Sequence, residues 1–165
     1  MNNVEDFLEN KERLEELMSM ALNCAKDSLP SDVPIGAIVV DSKTGAVISS
    51  SGNLREADHD PTNHAEIVAI REAAKSIYDW RLNDFIVFTT LEPCIMCAGA
   101  LIQARVGGLV FGASDPQFGA AGSIYNFFSD PRLMHNPKVV EGILKKECSE
   151  ILKNFFGSRR KTQTN

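Results

Sequence analysis

Two short segments carry residues whose types and spacing could do chemistry. Asn63-His64-Ala65-Glu66 sets an imidazole two residues before a carboxylate, and thirty residues beyond His64 comes Pro93-Cys94-Ile95-Met96-Cys97. An imidazole nitrogen and two soft thiolates suit zinc. Both segments are expected at helix starts, where the dipole and the free N–H groups favour ionised sulfur. Three protein ligands, His64, Cys94 and Cys97, leave one tetrahedral position for water, as catalytic rather than structural sites do. Zinc lowers the pKa of such a water to roughly 7. Glu66 can turn its carboxylate toward that position without being a ligand, which makes it the candidate catalytic acid and base.

That division of labour is hydrolytic deamination. The water oxygen attacks an amidine-like carbon, while Glu66 takes its proton, passes it to a ring nitrogen and then protonates the departing amine. Each fragment alone has plainer explanations. A Cys-x-x-Cys pair also suits a redox couple, half of a structural zinc site or buried thiols. A histidine at a helix start also suits a cap. A closed structural site needs a fourth ligand, for which Cys24, Cys148, His59 and His135 are the candidates. Cys24 and Cys148 fall on apolar helix faces and read as core.

The elements that must position these residues can be read from periodicity. Residues 4–28 carry Leu14, Leu17, Met18, Ala21, Leu22 and Ala25 at helical spacing, stopped by Leu29-Pro30-Ser31-Asp32. Residues 35–41 and 46–50, joined by Ser42-Lys43-Thr44-Gly45, read as a hairpin. Helix is expected at 64–75, 93–104 and 142–156, strand at 85–90 and 108–111. Pro93 suits a helix start, where its missing N–H costs nothing. A Gly-rich loop over 112–122 leads to a short helix. Strands alternating with such helices imply crossovers and partly parallel pairing, hence a sheet of about five strands between helical layers.

Composition bounds the rest. The chain has 165 residues, 44% apolar and 24% charged, enough for one domain with a real core. The acidic start Met1-Asn2-Asn3-Val4-Glu5-Asp6 resembles no targeting signal, and no apolar run reaches membrane-span length. A cytoplasmic protein is expected. Four cysteines without an export signal argue against a disulfide framework. The net charge of −5 excludes a protein that coats nucleic acid through bulk positive charge. From Pro131 onward, however, eight Lys/Arg stand against three Asp/Glu, ending in Ser158-Arg159-Arg160-Lys161. A local basic rim at the C-terminus is therefore compatible with one RNA loop.

Almost the whole chain resembles the bacterial tRNA adenosine deaminases, which convert the wobble adenosine of an anticodon to inosine. The resemblance rests on Val33-Pro34-Ile35-Gly36-Ala37, Asn53-Leu54-Arg55-Glu56, Pro61-Thr62-Asn63-His64-Ala65-Glu66, Trp80-Arg81-Leu82, Thr90-Leu91-Glu92-Pro93-Cys94-Ile95-Met96-Cys97-Ala98-Gly99-Ala100, Gly119-Ala120-Ala121-Gly122-Ser123 and Phe155-Phe156. It implies a cytidine-deaminase-like three-layer α/β/α sandwich with a mixed sheet, spanning 1–165 as one deaminase domain. Residues 1–13 form an N-terminal extension without assigned role, and 157–165 a basic tail.

It also implies one Zn²⁺ per chain, a homodimer and a tRNA anticodon stem-loop as partner. Carried over residue by residue, Asn53 bonds the base or its ribose, Ala65 offers a backbone donor, and Val33 and Ile35 line the pocket. The loop at Asp115 contacts the anticodon backbone and Phe156 stacks near a flanking base. Asn53 also suits a plain turn, and Phe155 and Phe156 also suit core packing. The 114–118 loop lacks the basic residue many members carry near Gln117, and Met134-His135-Asn136 stands where Asn-His-Arg is usual. His135 suits an RNA contact or a capping role. The alternatives within enzymes are deaminases of free cytosine, guanine or a nucleoside. From another class comes a catalytically silent zinc-binding RNA-interaction subunit, against which Glu66 speaks.

Overall fold

In the computed structural model, which describes residues 4–162, a five-stranded mixed sheet in the order β2-β1-β3-β4-β5 lies between two helical layers. The strands are β1 (Gly36–Asp41), β2 (Val47–Gly52), β3 (Phe85–Leu91), β4 (Gly108–Ala113) and β5 (Lys138–Glu141). β1 pairs antiparallel with both β2 and β3, whereas β3/β4 and β4/β5 are parallel. The expected mixed α/β/α sandwich is therefore the architecture found.

Strand alternation assigns the two faces. Ala37, Val39, Val87, Leu109 and Phe111 turn to one side, under α3 (Ala65–Ile77) and α4 (Ile95–Gln103). Ile38, Val40, Ile86, Phe88 and Val110 turn to the other, under α2 (Lys11–Lys26) and α5 (Lys145–Thr162). Burial on both faces explains why β1, β3 and β4 read as nearly continuous apolar runs. Gly36 is required where α2 crosses β1, because a Cβ there would strike the Ala21 carbonyl and the Ala25 amide.

Four boundaries differ from the sequence reading. The expected helix over 4–28 is two helices, α1 (Val4–Leu8) and α2, because Asn10 caps α2 by accepting from the Arg13 amide at 3.0 Å. α1 lies against β5, with Glu5 and Lys138 paired at 2.9 Å. β5 is a short, mostly exposed edge strand without apolar alternation, which left no pattern to read. The short helix expected after the Gly-rich loop is one 3₁₀ turn, Phe127–Ser129. α5 runs to Thr162, six residues past the expected end, so the basic tail as far as residue 162 is helix; residues 163–165 lie outside the described residues.

Among the described residues no helix is long and apolar enough to cross a membrane.

Candidate metal centre and active site

Topology brings the site to one edge of the sheet. β2 and β3 are each antiparallel to β1, so they point the same way, and β4 follows β3. Their C-terminal ends deliver the start of α3, the start of α4 and the 114–123 loop to the same edge. β1 begins there too, with Val33 and Ile35 just before it and Asn53 just after β2. The carboxyl ends of strands in an open α/β sheet are where ligands characteristically bind.

His64 is the N-cap of α3 and Cys94 the N-cap of α4, both with extended backbone and neither with a side-chain cap bond. Their side chains turn away from the helix ends, which excludes the plain capping role for His64. They meet instead. His64 Nδ1 lies 3.7 Å from Cys94 Sγ and 3.5 Å from Cys97 Sγ, and the three donor atoms fall within 4.8 Å of one another. A tetrahedral ion with Zn–N and Zn–S bonds of about 2.0 and 2.3 Å needs an N···S edge of about 3.5 Å. The donor set fits zinc in both chemistry and spacing.

Among the described residues no fourth His, Cys, Asp or Glu joins this group. Cys148 is fully buried against β4, where burial pushes its thiol up to about 12. His135 Nε2 sits 2.7 Å from the Val106 carbonyl, so its ring is tied to the connection between α4 and β4. The two site thiols are hydrogen-bonded to each other, which shifts them in opposite directions. Donation from Cys97 holds Cys94 down at about 4, while the same bond and burial push Cys97 up. A cation in this position binds the thiolate forms and releases thiol protons.

Glu66 follows in the first turn of α3, 4% exposed and beside Cys97. Burial raises its carboxyl above the usual range. Ala65, the first helical residue, is fully buried, and its N–H is one of those that a helix start leaves without an intrahelical acceptor. Asn53 is 5% exposed; its Nδ2 donates to the Val33 carbonyl at 3.3 Å, while Oδ1 has no partner among the described residues. Val33 and Ile35 are half-buried at the same rim.

Asp115 bonds the backbone of its own loop. Its Oδ1 accepts from the Gln117 and Phe118 amides at 2.9 and 3.1 Å, so its side chain closes an Asx turn that leaves Phe118 exposed at the loop's tip. Phe156 is half-exposed on α5, edge-on to Phe155. One turn later Arg159 donates to the Pro30 and Ser31 carbonyls at 3.4 and 2.8 Å and lies over the Phe155 ring. That end of α5 is thus held beside the loop leading to Val33.

Two buried carboxylates that the sequence reading passed over shape the edge. Glu92, 2% exposed, accepts from the amides of Asp115 (2.9 Å), Ala121 (3.0 Å) and Ser123 (3.0 Å) and from the Ser123 hydroxyl. Burial alone would raise its carboxyl, but these bonds prevail and hold it below the usual range. Asp32, 1% exposed, accepts from the Glu56 and Ala57 amides at 2.8 and 3.1 Å and fixes the loop after Asn53. A buried acid beside Pro93-Cys94 was the available signal for Glu92; Asp32 looked like an ordinary helix stop. Asn63, clamped by Asp58 at 2.8 Å and Arg71 at 3.3 Å, steadies the approach to His64.

Known proteins share this arrangement. The cytidine and deoxycytidylate deaminase zinc-binding region matches residues 11–113. The tRNA-specific adenosine deaminase of Haemophilus influenzae is 44% identical over 147 residues, covering 88% of this chain and 84% of the relative. That of Bacillus subtilis is 43% identical over 130 residues, 79% of this chain and 80% of the relative. A structure solved in studies of A-to-I editing by tRNA:A34 deaminases at the wobble position superposes with a TM-score of 0.79 at 42% identity, over 83% of this chain and 99% of that one. The chain belongs to the cytidine and deoxycytidylate deaminase zinc-binding family and, within it, to the tRNA-specific adenosine deaminases.

Proposed function

We propose that this chain, acting as a single deaminase domain, hydrolyses the wobble adenosine of a tRNA anticodon to inosine. The observation that carries the reading is the three-donor cluster with a buried carboxylate beside it. His64, Cys94 and Cys97 hold one Zn²⁺ per chain. When bound, the ion supplies the Lewis acidity that makes a water nucleophilic near neutral pH. Glu66 takes one proton from the attacking water and delivers it to the ring nitrogen next to the reacting carbon, then carries the water's second proton to the amine, which leaves as ammonia. A carboxyl whose proton affinity is raised by burial suits that shuttle.

Asn53 and the Ala65 N–H orient the base, and the partnerless Asn53 Oδ1 supports this, since a buried acceptor is normally satisfied. Val33 and Ile35 form the apolar wall. The 114–118 loop shaped by Asp115 and the half-exposed Phe156 flank the neighbouring nucleotides. Self-association as a homodimer is supported by α4, whose Ile95 and Gly99 are exposed on an almost wholly apolar helix, near the exposed Phe118 and Ile124. Four free cysteines and a tRNA substrate are consistent with the cytoplasm.

The deciding assay follows inosine formation in an anticodon stem-loop with the zinc-loaded protein, beside free adenine, cytosine and guanine. Inosine in the RNA is the expected result. Turnover of a free base alone overturns the reading.

A further inference from the structure

At the far end of α3 from His64, backbone conformation and charge converge in a way the deamination chemistry does not use. Helices α3 and α4 both terminate in left-handed residues, Tyr78 (φ 57°) and Arg105 (φ 54°), where glycine is the usual choice. Tyr78 is 96% exposed, so its side chain gives the core nothing in return. Trp80, beside it, is 52% exposed, with the Arg81 and Arg105 guanidinium carbons 4.4 and 5.8 Å from its ring centroid. A shallow basin of about 660 Å³ joins Arg71 and Lys75 to Tyr78, Trp80 and Arg81.

The charges are concentrated here. Residues 17–130 hold only seven Lys/Arg against thirteen Asp/Glu, yet four of the seven, Arg71, Lys75, Arg81 and Arg105, surround this one surface. The paired acids are Glu72, 2.8 Å from Lys75, and Asp79, 3.3 Å from Arg81, while Asp60 faces Arg71 and Asp58 bonds the same Asn63 that Arg71 reaches. The Lys75–Glu72 and Arg81–Asp79 pairs are exposed, held weakly enough for a phosphate to compete. Arg71 and Lys75 are one helical turn apart, and Arg71 Nη1 also reaches Asn63, the neighbour of His64. The thirteen residues of α3 span about 20 Å, so a basic stripe runs from the metal centre to Trp80.

We propose that the outer face of α3 is an RNA track, Arg71, Lys75 and Arg105 taking phosphates and the Trp80 ring, with Arg81 against it, stacking an unpaired base. This rests on the RNA-deaminase reading above. A basic groove combined with an exposed aromatic face is the general means of holding single-stranded nucleotides, because every base has a π-face and every linkage a phosphate. A surface for an acidic protein would need the cations but not two exposed aromatic rings beside them.

The test uses zinc-loaded full-length protein and a full-length tRNA with adenosine at the wobble position. Variants are Trp80→Ala, Trp80→Phe and the double variant Lys75→Gln/Arg105→Gln. Binding is read by fluorescence anisotropy from about 50 to 300 mM KCl, with inosine formation, zinc content and sedimentation velocity in parallel. Trp80→Ala is expected to weaken binding about 5- to 50-fold, as loss of one stacked base does. The loss should appear in KM, with kcat and zinc content retained, and Trp80→Phe should recover most of it. The double variant is expected to lower the salt slope by about 1.5.

Unchanged tRNA affinity in Trp80→Ala together with an unchanged slope in the double variant overturns the track, and with wild-type inosine formation intact it leaves the deaminase reading standing. A wild-type protein that turns over only free bases overturns both. A changed sedimentation coefficient with unchanged RNA affinity assigns the patch to a second copy of the chain and also overturns the track. If Trp80→Ala fails to fold, Trp80→Phe and the exposed double variant still decide the matter.

Discussion

His64 and Cys94 occupy the same station on two helices, the N-cap, and that coincidence makes a two-helix metal centre possible. An N-cap side chain projects beyond the helix end, so two helix starts delivered to one sheet edge can share a ligand. Cys97, in the first turn of α4, closes the set from the side. Glu66, in the first turn of α3, is nearly sealed from water beside Cys97. Glu66→Gln keeps the volume and removes the proton carrier. It is expected to retain one zinc per chain by metal analysis and to lower kcat for inosine formation by about 10²- to 10⁴-fold. A variant keeping more than a tenth of wild-type turnover would reassign the proton transfer.

These residues were legible because their signal is local. Spacing within a turn places Glu66 relative to His64 and Cys97 relative to Cys94, whatever the rest of the chain does. Asn53 was also named, although its unsatisfied oxygen is visible only in the folded chain. Glu92 and Asp32 were not assigned roles because their partners are backbone amides, up to 31 residues away for Glu92 and 25 for Asp32. No pattern of side-chain types marks an amide as a partner.

At the scale of elements, the site depends on three loops that carry no regular structure of their own. Glu92 gathers the 113–123 loop, Asp32 the loop after β2, and Arg159 the loop after α2. Gly119 belongs to the first of these, since a Cβ there would strike the Glu92 carboxyl group and the Asp115 carbonyl. Replacing Glu92 by Gln sets an NH₂ group against amide donors in a buried cluster. The variant is expected to lose about 3 kcal/mol, a fall of roughly 6–12 °C in Tm for a chain of this size. Thermal unfolding checks this, and an unshifted Tm would deny Glu92 its organising role. The helices and central strands were legible through their periodicity. β5 was not, because an edge strand with one half-buried residue in four shows no alternation. The break at Asn10 was hidden by apolar spacing that carries on across it.

Considered whole, the molecule separates its charges. The first 16 residues carry six acids and two bases, whereas residues 131–165 carry eight bases and three acids. Part of that basic excess is occupied within the fold: Arg132 pairs with Asp130, Lys138 with Glu5, and Arg159 with two carbonyls. The C-terminus is therefore a braced helix more than a loose cationic tail. The N-terminal extension gains a role as well. Val4, Phe7 and Leu8 pack against the core on the α2/α5 side of the sheet. Deleting residues 1–9, which spares the Asn10 cap, is expected to cost about 2–3 kcal/mol of stability while zinc content is unchanged. Chemical denaturation and metal analysis together check it; equal stability would mean that α1 is ornamental.

The seating of α1 on β5 also orders events in time. Glu5 and Lys138 lie 133 residues apart, so their contact closes a loop containing about four-fifths of the chain. Such long closures contribute late, after local pairings have reduced the entropy still to be lost. By then a growing chain has long since released His64, Cys94 and Cys97, with the β1–β2 hairpin and both ligand-bearing helices. The same seam is the natural place for a partial opening, in which α1 lifts and β5 exchanges its amide hydrogens as one unit. The metal donors lie outside that unit, so the edge of the sheet can breathe while the catalytic corner stays assembled.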